Sequence, residues 1–130
     1  MQVAAGARAG GKYRLVRPLA SGGMGHVWLA RNETTGADLA LKVLRGSGTK
    51  GGTVDARFRN EARFAAGLSH RNIVRVFDLV EEDDGTLVLV MELLRGEPVA
   101  ELLARRGVLS TREALAVMLP ILAALGHAHT

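Results

Sequence analysis

The sequence predicts an α+β fold: a five-stranded antiparallel sheet with one packed helix, followed by two further helices. Three observations predict it. From Lys12 to about Met91 the apolar residues fall in short Val- and Leu-rich runs separated by Gly-containing turns, with one helical stretch among them. After Arg95 the pattern is helical throughout. The chain is 130 residues long, 48% apolar and 23% charged, enough for one core. It has no cysteine, which excludes a disulfide framework, a thiolate metal site and a cysteine nucleophile, and suits the cytoplasm.

Residues 1–11 are Ala- and Gly-rich around Arg8, without the apolar segment of a secretory signal, and read as a disordered lead-in. Tyr13 to Ala20 is the first strand. It enters Ser21-Gly22-Gly23-Met24-Gly25, and the chain returns as His26 to Arg31. Asn32 to Gly36 is a turn by composition, and Leu39 to Leu44 completes a three-stranded meander. Gly46 to Thr53 is flexible by composition and imitates a phosphate-binding P-loop. Lys50 is flanked by Thr49 and Gly51, however, not by the Gly and Ser/Thr that motif requires. Thr53 or Asp55 opens a helix to about Leu68, with Phe58, Ala65 and Leu68 on one stripe. Ile73 to Val80 and Thr86 to Met91 form a hairpin around Glu81-Glu82-Asp83-Asp84-Gly85, an acidic turn that reads as solvated, because adjacent carboxylates at a hairpin tip do not converge on a metal.

Glu97 to Arg106 is a short helix with Pro98 in its first turn and Gly107 at its stop. Ser110-Thr111-Arg112-Glu113 is a capping-box pattern opening a last helix to about Ala128. Leu115, Met118, Leu119, Leu122 and Leu125 give that helix a wide apolar face in need of a partner, and Pro120 is expected to bend it. The longest nearly apolar run, Ala114 to Leu125, is 12 residues and does not span a bilayer.

Charge is uneven along the chain. Residues 1–80 carry 13 Lys/Arg against 5 Asp/Glu, and residues 81–130 carry 4 against 8. The arginines are scattered and aromatic residues make up 4%, too sparse for a base-stacking surface, so nucleic acid is not the expected partner. His127 and His129 are spaced i, i+2 and point to different helix faces, so they do not share a metal. His26 and His70 sit beside turns and read as solvated.

Two charges stand where apolar residues are expected. Lys42 interrupts Leu39-Ala40-Leu41-Lys42-Val43-Leu44 and shares a strand face with Ala40 and Leu44. Glu61 follows Phe58 by three residues and precedes Ala65 by four, which puts a carboxylate on the helix stripe. An unpaired charge there costs several kcal/mol, about the size of a broken buried pair. Opposite signs suggest each other as partners. The glycines at 22, 23 and 25 let backbone approach a ligand and present N–H groups to phosphate oxygens. A strand follows that turn where the dinucleotide fold requires a helix, which disfavours a Rossmann site.

A glycine loop, a strand lysine 20 residues after Gly22, a helical glutamate 19 residues after Lys42, and a hairpin ending Met91-Glu92-Leu93-Leu94 together resemble the N-terminal lobe of a protein kinase. The likeness is to the eukaryotic-type serine/threonine kinases of bacteria. Leu19 to Trp28 resembles their nucleotide loop, Ala40 to Leu44 their third strand, and Arg59-Asn60-Glu61 the middle of their C-helix. His70 to Val74 is similar to the turn and strand that follow, and Leu122 to His129 to the helix before the catalytic loop. The resemblance implies a kinase N-lobe and hinge at 12–94 and the start of an incomplete C-lobe at 95–130.

It also implies roles. The amides of Ser21, Gly22, Gly23, Met24 and Gly25, with His26 beside them, would cover the phosphates of ATP. Lys42 would contact the α- and β-phosphates and Glu61 would hold Lys42. Leu19, Val27 and Ala40 would sandwich adenine, Met91 resembles the gatekeeper, and the Glu92 and Leu94 backbones would bond the adenine edge. Ala20 stands at the first glycine of the family pattern. The family's activity is transfer of the ATP γ-phosphate to Ser or Thr of a protein substrate, with Mg²⁺. Its catalytic base and metal ligands do not occur in these 130 residues, so the implied metal ligands here are none and the isolated chain is expected to be inactive. The other function class the sequence allows is a non-catalytic nucleotide-binding or protein-interaction module that presents its last helix to a partner; in isolation the chain is expected to self-associate through that helix.

Overall fold

The computed structural model describes residues 1–22, 25–44 and 53–130, with backbone alone for residues 21, 22 and 53–55. The P-loop-like segment 46–52 lies outside the described residues, as do Gly23 and Met24. The chain divides into two units, Met1–Gly67 with Arg75–Leu93, and Leu68–Val74 with Leu94–Thr130.

The first unit is a six-stranded antiparallel sheet and one helix. Its strands are β1 (Arg8–Ala9), β2 (Tyr13–Gly22), β3 (Gly25–Asn32), β4 (Asp38–Leu44), β5 (Val76–Glu81) and β6 (Leu87–Glu92), in the spatial order β1-β2-β3-β4-β6-β5. The helix is α1 (Thr53–Ala66). All five expected strands form. Alternation along β4 and β6 divides the apolar residues between two faces. Leu41, Val43, Val88 and Val90 point one way and join Ala9, Tyr13, Leu15 and Ala30 in a core. Leu44 and Leu87 point the other way and receive Phe58 of α1, with Leu79 and Leu89 packed around them.

The sixth strand corrects the expectation for residues 1–11. That segment is ordered: Ala9 is fully buried, and Met1, Val3 and Ala7 pack on the same core. The Leu15 N–H donates to the Ala7 carbonyl and the Gly6 N–H to the Leu15 carbonyl, both at 2.8 Å. Arg8 Nε donates to Glu33 Oε1 at 2.6 Å, which holds the Glu33 carboxyl below its ordinary value. Small side chains, read as a sign of disorder, are what lets backbone lie flat against Tyr13 and Leu15.

The acidic turn is solvent-facing as expected, but its carboxylates also make contacts. Glu82 Oε1 accepts the Gly10 N–H at 2.6 Å, Asp84 accepts the Thr86 N–H at 3.0 Å and pairs with the Met1 ammonium, and Glu81 pairs with Arg59 at 2.6 Å. Glu81, Asp83 and Asp84 nonetheless stay exposed at the tip, in keeping with the solvated reading, and Glu82 is half-buried. Carboxylates here tie the hairpin to the N-terminal segment and to α1.

The second unit holds α2 (Val99–Arg106) and α3 (Thr111–Ala128). Pro98 is the N-cap of α2, where its missing N–H costs nothing, and the Gly107 N–H closes the helix on the Leu103 carbonyl at 2.7 Å. The capping box of α3 forms as expected: Ser110 Oγ accepts the Glu113 N–H and Glu113 Oε1 accepts the Ser110 N–H, each at 3.2 Å. Segment Leu68–Val74 lies on α3. Asn72 Nδ2 donates to the Pro120 carbonyl at 3.2 Å, and the His70 ring lies 5.2 Å from that of His127. His70 is therefore not the solvated residue expected; its Nδ1 accepts the Asn72 N–H at 3.1 Å. No helix among the described residues is long and apolar enough to cross a membrane.

Candidate functional site

The register assembles five of the predicted residues on one face. Ala20 pairs with Val27, Val27 with Lys42 and Lys42 with Leu89, a row across β2, β3, β4 and β6. The next row runs Leu29, Ala40, Met91 and Val76. Directly opposed residues share a sheet face, so Ala20, Val27, Ala40, Lys42 and Met91 all lie on the face that receives α1. Leu19 falls in the register shift between Pro18 and Ala20 and is exposed.

The glycine turn closes through the pairs Ser21–His26 and Gly22–Gly25. Gly25 is required sterically: its φ is +153°, and a Cβ there would stand 2.4 Å from the Val43 carbonyl oxygen. The start of β3 thus rests on the backbone of β4, one residue from Lys42. His26 is exposed beside it.

Lys42 is half-buried between Val27 and Leu89, and Glu61 is exposed on α1. Among the described residues no ion pair joins them, so the expected contact between the two charges is not made in this structure. The cause lies in how α1 is turned. Among its described side chains the buried ones are Phe58 and Ala62, one helical turn apart, with Ala65 half-buried. Glu61 sits on the flank of that stripe. Arg59 lies about 200° from Glu61 around the helix and pairs with Glu81 of β5.

At the end of β6, Met91 and Glu92 are half-buried. The Glu92 N–H donates to the Arg75 carbonyl at 2.9 Å, and the Arg75 N–H donates to the Glu92 carboxylate at 2.9 Å. Leu94 belongs to the second unit, where it is exposed and borders a cleft lined by Leu94 to Pro98. Arg75 is the residue at this site that the sequence reading passed over. It contributes main-chain groups, and those leave no signature in residue type.

Chemically, the described residues of this face offer apolar surface for a flat heterocycle, the Lys42 cation, and close-approaching backbone at Gly25. Among the described residues no three acidic or histidine side chains cluster as metal ligands.

Comparisons with known proteins show the family. The protein kinase domain family model matches residues 13–130. The chain is 39% identical to the serine/threonine-protein kinase PrkC of Bacillus subtilis over 124 residues, 95% of this chain and 19% of that protein. It is 43% identical to the serine/threonine-protein kinase PknA of Mycobacterium tuberculosis over 114 residues, 85% of this chain and 26% of that protein. The crystal structure of the Mycobacterium tuberculosis PknI kinase domain (C20A mutant) superposes with a TM-score of 0.82 at 33% identity, covering 99% of this chain and 52% of that one. The chain thus spans about half of a solved kinase domain and between 19% and 26% of these curated relatives. By sequence and fold this chain belongs to the protein kinase domain family, beside the serine/threonine kinases of bacteria.

Proposed function

We propose that this chain is the ATP-binding portion of a cytoplasmic protein serine/threonine kinase, which transfers the γ-phosphate of ATP to a Ser or Thr hydroxyl of a protein substrate. The observation that carries the reading is the register that sets Val27, Ala40, Lys42 and Met91 on one face, with Gly25 against the Val43 carbonyl. Leu19, Val27 and Ala40 pack on adenine, and Met91 bounds the inner end of its pocket. The Glu92 carbonyl and the Leu94 backbone read the edge of the ring. Backbone N–H groups from Ser21 to Gly25 cover the phosphates, with no Cβ at the three glycines to hold them off, and Lys42 donates to the α- and β-phosphates. Glu61 comes to Lys42 when nucleotide binds and fixes the ammonium toward it.

Mg²⁺, carried in with ATP, would supply positive charge against the phosphates. The family's protein ligands for it, an Asn after His-Arg-Asp and the Asp of Asp-Phe-Gly, do not occur in these residues, and neither does the base. The 130-residue chain therefore binds ATP without transferring phosphate.

Titration with ATP by calorimetry, for wild type and Lys42→Met, tests the pocket. A charge-assisted bond to phosphate accounts for about tenfold or more in affinity, so the variant binds that much more weakly. Equal affinity would overturn the assignment of Lys42. Phosphate transfer by the purified chain above background would overturn the reading of inactivity.

A further inference from the structure

The Glu92 carboxylate occupies a place in the sheet that its own carbonyl would otherwise fill. In an antiparallel hydrogen-bonded pair the two residues exchange both N–H···O=C bonds. Arg75 and Glu92 exchange only one of them through the backbone, from the Glu92 N–H to the Arg75 carbonyl. The return donor, the Arg75 N–H, goes instead to Glu92 Oε1 at 2.9 Å. Nearby, β5 carries a register shift between Val76 and Asp78, where Val76 faces Met91 and Asp78 faces Val90. The ladder is thus already irregular at the position where the side chain replaces a main-chain acceptor.

A carbonyl deprived of its ladder donor still needs a partner. We propose that Glu92 is a specificity-determining positioning residue: by capturing the Arg75 amide, its carboxylate keeps the Glu92 carbonyl free to accept from the exocyclic amino group of a 6-aminopurine. This rests on the nucleotide reading above. A 6-oxopurine brings an oxygen to the same place, lone pair against lone pair, and a site built around one hydrogen bond rejects the ligand that cannot make it. The device selects ATP over ITP, which differ at that position of the base.

The experiment compares the affinities of the 130-residue chain for ATP and ITP in wild type, Glu92→Gln and Glu92→Ala. Wild type prefers ATP by about tenfold or more. Glutamine keeps an acceptor oxygen for the Arg75 N–H and retains the preference. Alanine lets that N–H close on the carbonyl, and the preference shrinks to about twofold or less. A purely structural role for Glu92 would weaken both nucleotides together and leave their ratio intact. An alanine variant that keeps the wild-type ratio, or a wild type without preference, overturns the inference while ATP binding itself stands. A wild type that binds neither nucleotide overturns the nucleotide reading and this inference with it. In wild type, a scalar coupling across the hydrogen bond from the Arg75 amide nitrogen to the Glu92 side-chain carboxyl carbon checks the capture without any substitution. Coupling to the Glu92 backbone carbonyl carbon instead would overturn it, whether or not the alanine variant folds.

Discussion

Arg59 of α1 holds Glu81 at the end of β5 across 2.6 Å, while Glu61, two residues further along the same helix, is exposed and makes no ion pair with Lys42. Two interactions compete to explain how α1 is held. A partly exposed ion pair contributes about 1 kcal/mol or less. Phe58, 3% exposed between Leu44 and Leu87, costs about 3–5 kcal/mol on truncation to alanine. We expect Phe58→Ala to lower stability by several times as much as Arg59→Ala in urea unfolding. Equal losses would mean that the ion pair, not the aromatic, anchors the helix.

Gly25 permits no side chain. A Cβ would stand 2.4 Å from the Val43 carbonyl oxygen at a φ of +153°. Gly25→Ala is expected to cost about 2 kcal/mol or more, through strain or through displacement of β3 from β4. Gly36, also at positive φ but with open space around it, should lose less on the same substitution. Thermal unfolding of both variants checks the order.

The N-terminal segment contributes buried Ala9 and packs Met1, Val3 and Ala7 on Tyr13 and Leu15. A disordered lead-in would be removable at no cost. Deletion of residues 1–11 should instead lower stability by more than about 2 kcal/mol, the scale of one large side chain's burial. Circular-dichroism melts of the shortened chain that match wild type would contradict the packing.

Glu113 gives the protein a dependence on acid. The backbone N–H of Ser110 holds its carboxyl below the ordinary 4.5, with Arg106 at 2.5 Å acting in the same direction. A carboxyl lowered by folding contributes stability that is present above its ordinary value and lost as pH falls through the lowered folded value. Glu113→Gln should therefore flatten the decline of stability below pH 4.5, leaving less to lose. Unfolding midpoints measured down the acid limb, for variant and wild type, decide it.

The last helix presents Leu115, Met118, Leu119, Leu122 and Leu125, each about half exposed. An apolar stripe of this length on an isolated chain binds hydrophobic dyes or a second copy. Sedimentation and dye fluorescence on the 130-residue chain should show one or both, and Leu119→Glu should reduce them. A monodisperse, dye-silent wild type would count against it.

Much of the fold was legible from local pattern. Alternation in Leu39 to Leu44 separates Leu41 and Val43 from Lys42 before any partner is known, because side chains in a strand alternate faces by geometry alone. Ser110 and Glu113 declare a helix start for the same kind of reason: the capping box closes within four residues. The spacing of glycines, Lys42 and Glu61 carried the family. Periodicity reports which way a residue faces on its own element and is silent on what lies opposite. Tertiary structure alone decided that residues 1–11 lie on the sheet, that Glu82 and Asp84 meet backbone and ammonium, and that His70 faces His127. It also decided that α1 turns Phe58 and Ala62 inward and leaves Glu61 exposed, and that the Glu92 carboxylate takes the Arg75 amide. Each of these joins groups distant in sequence, or uses a main-chain atom every residue possesses, so nothing in residue type foretells it.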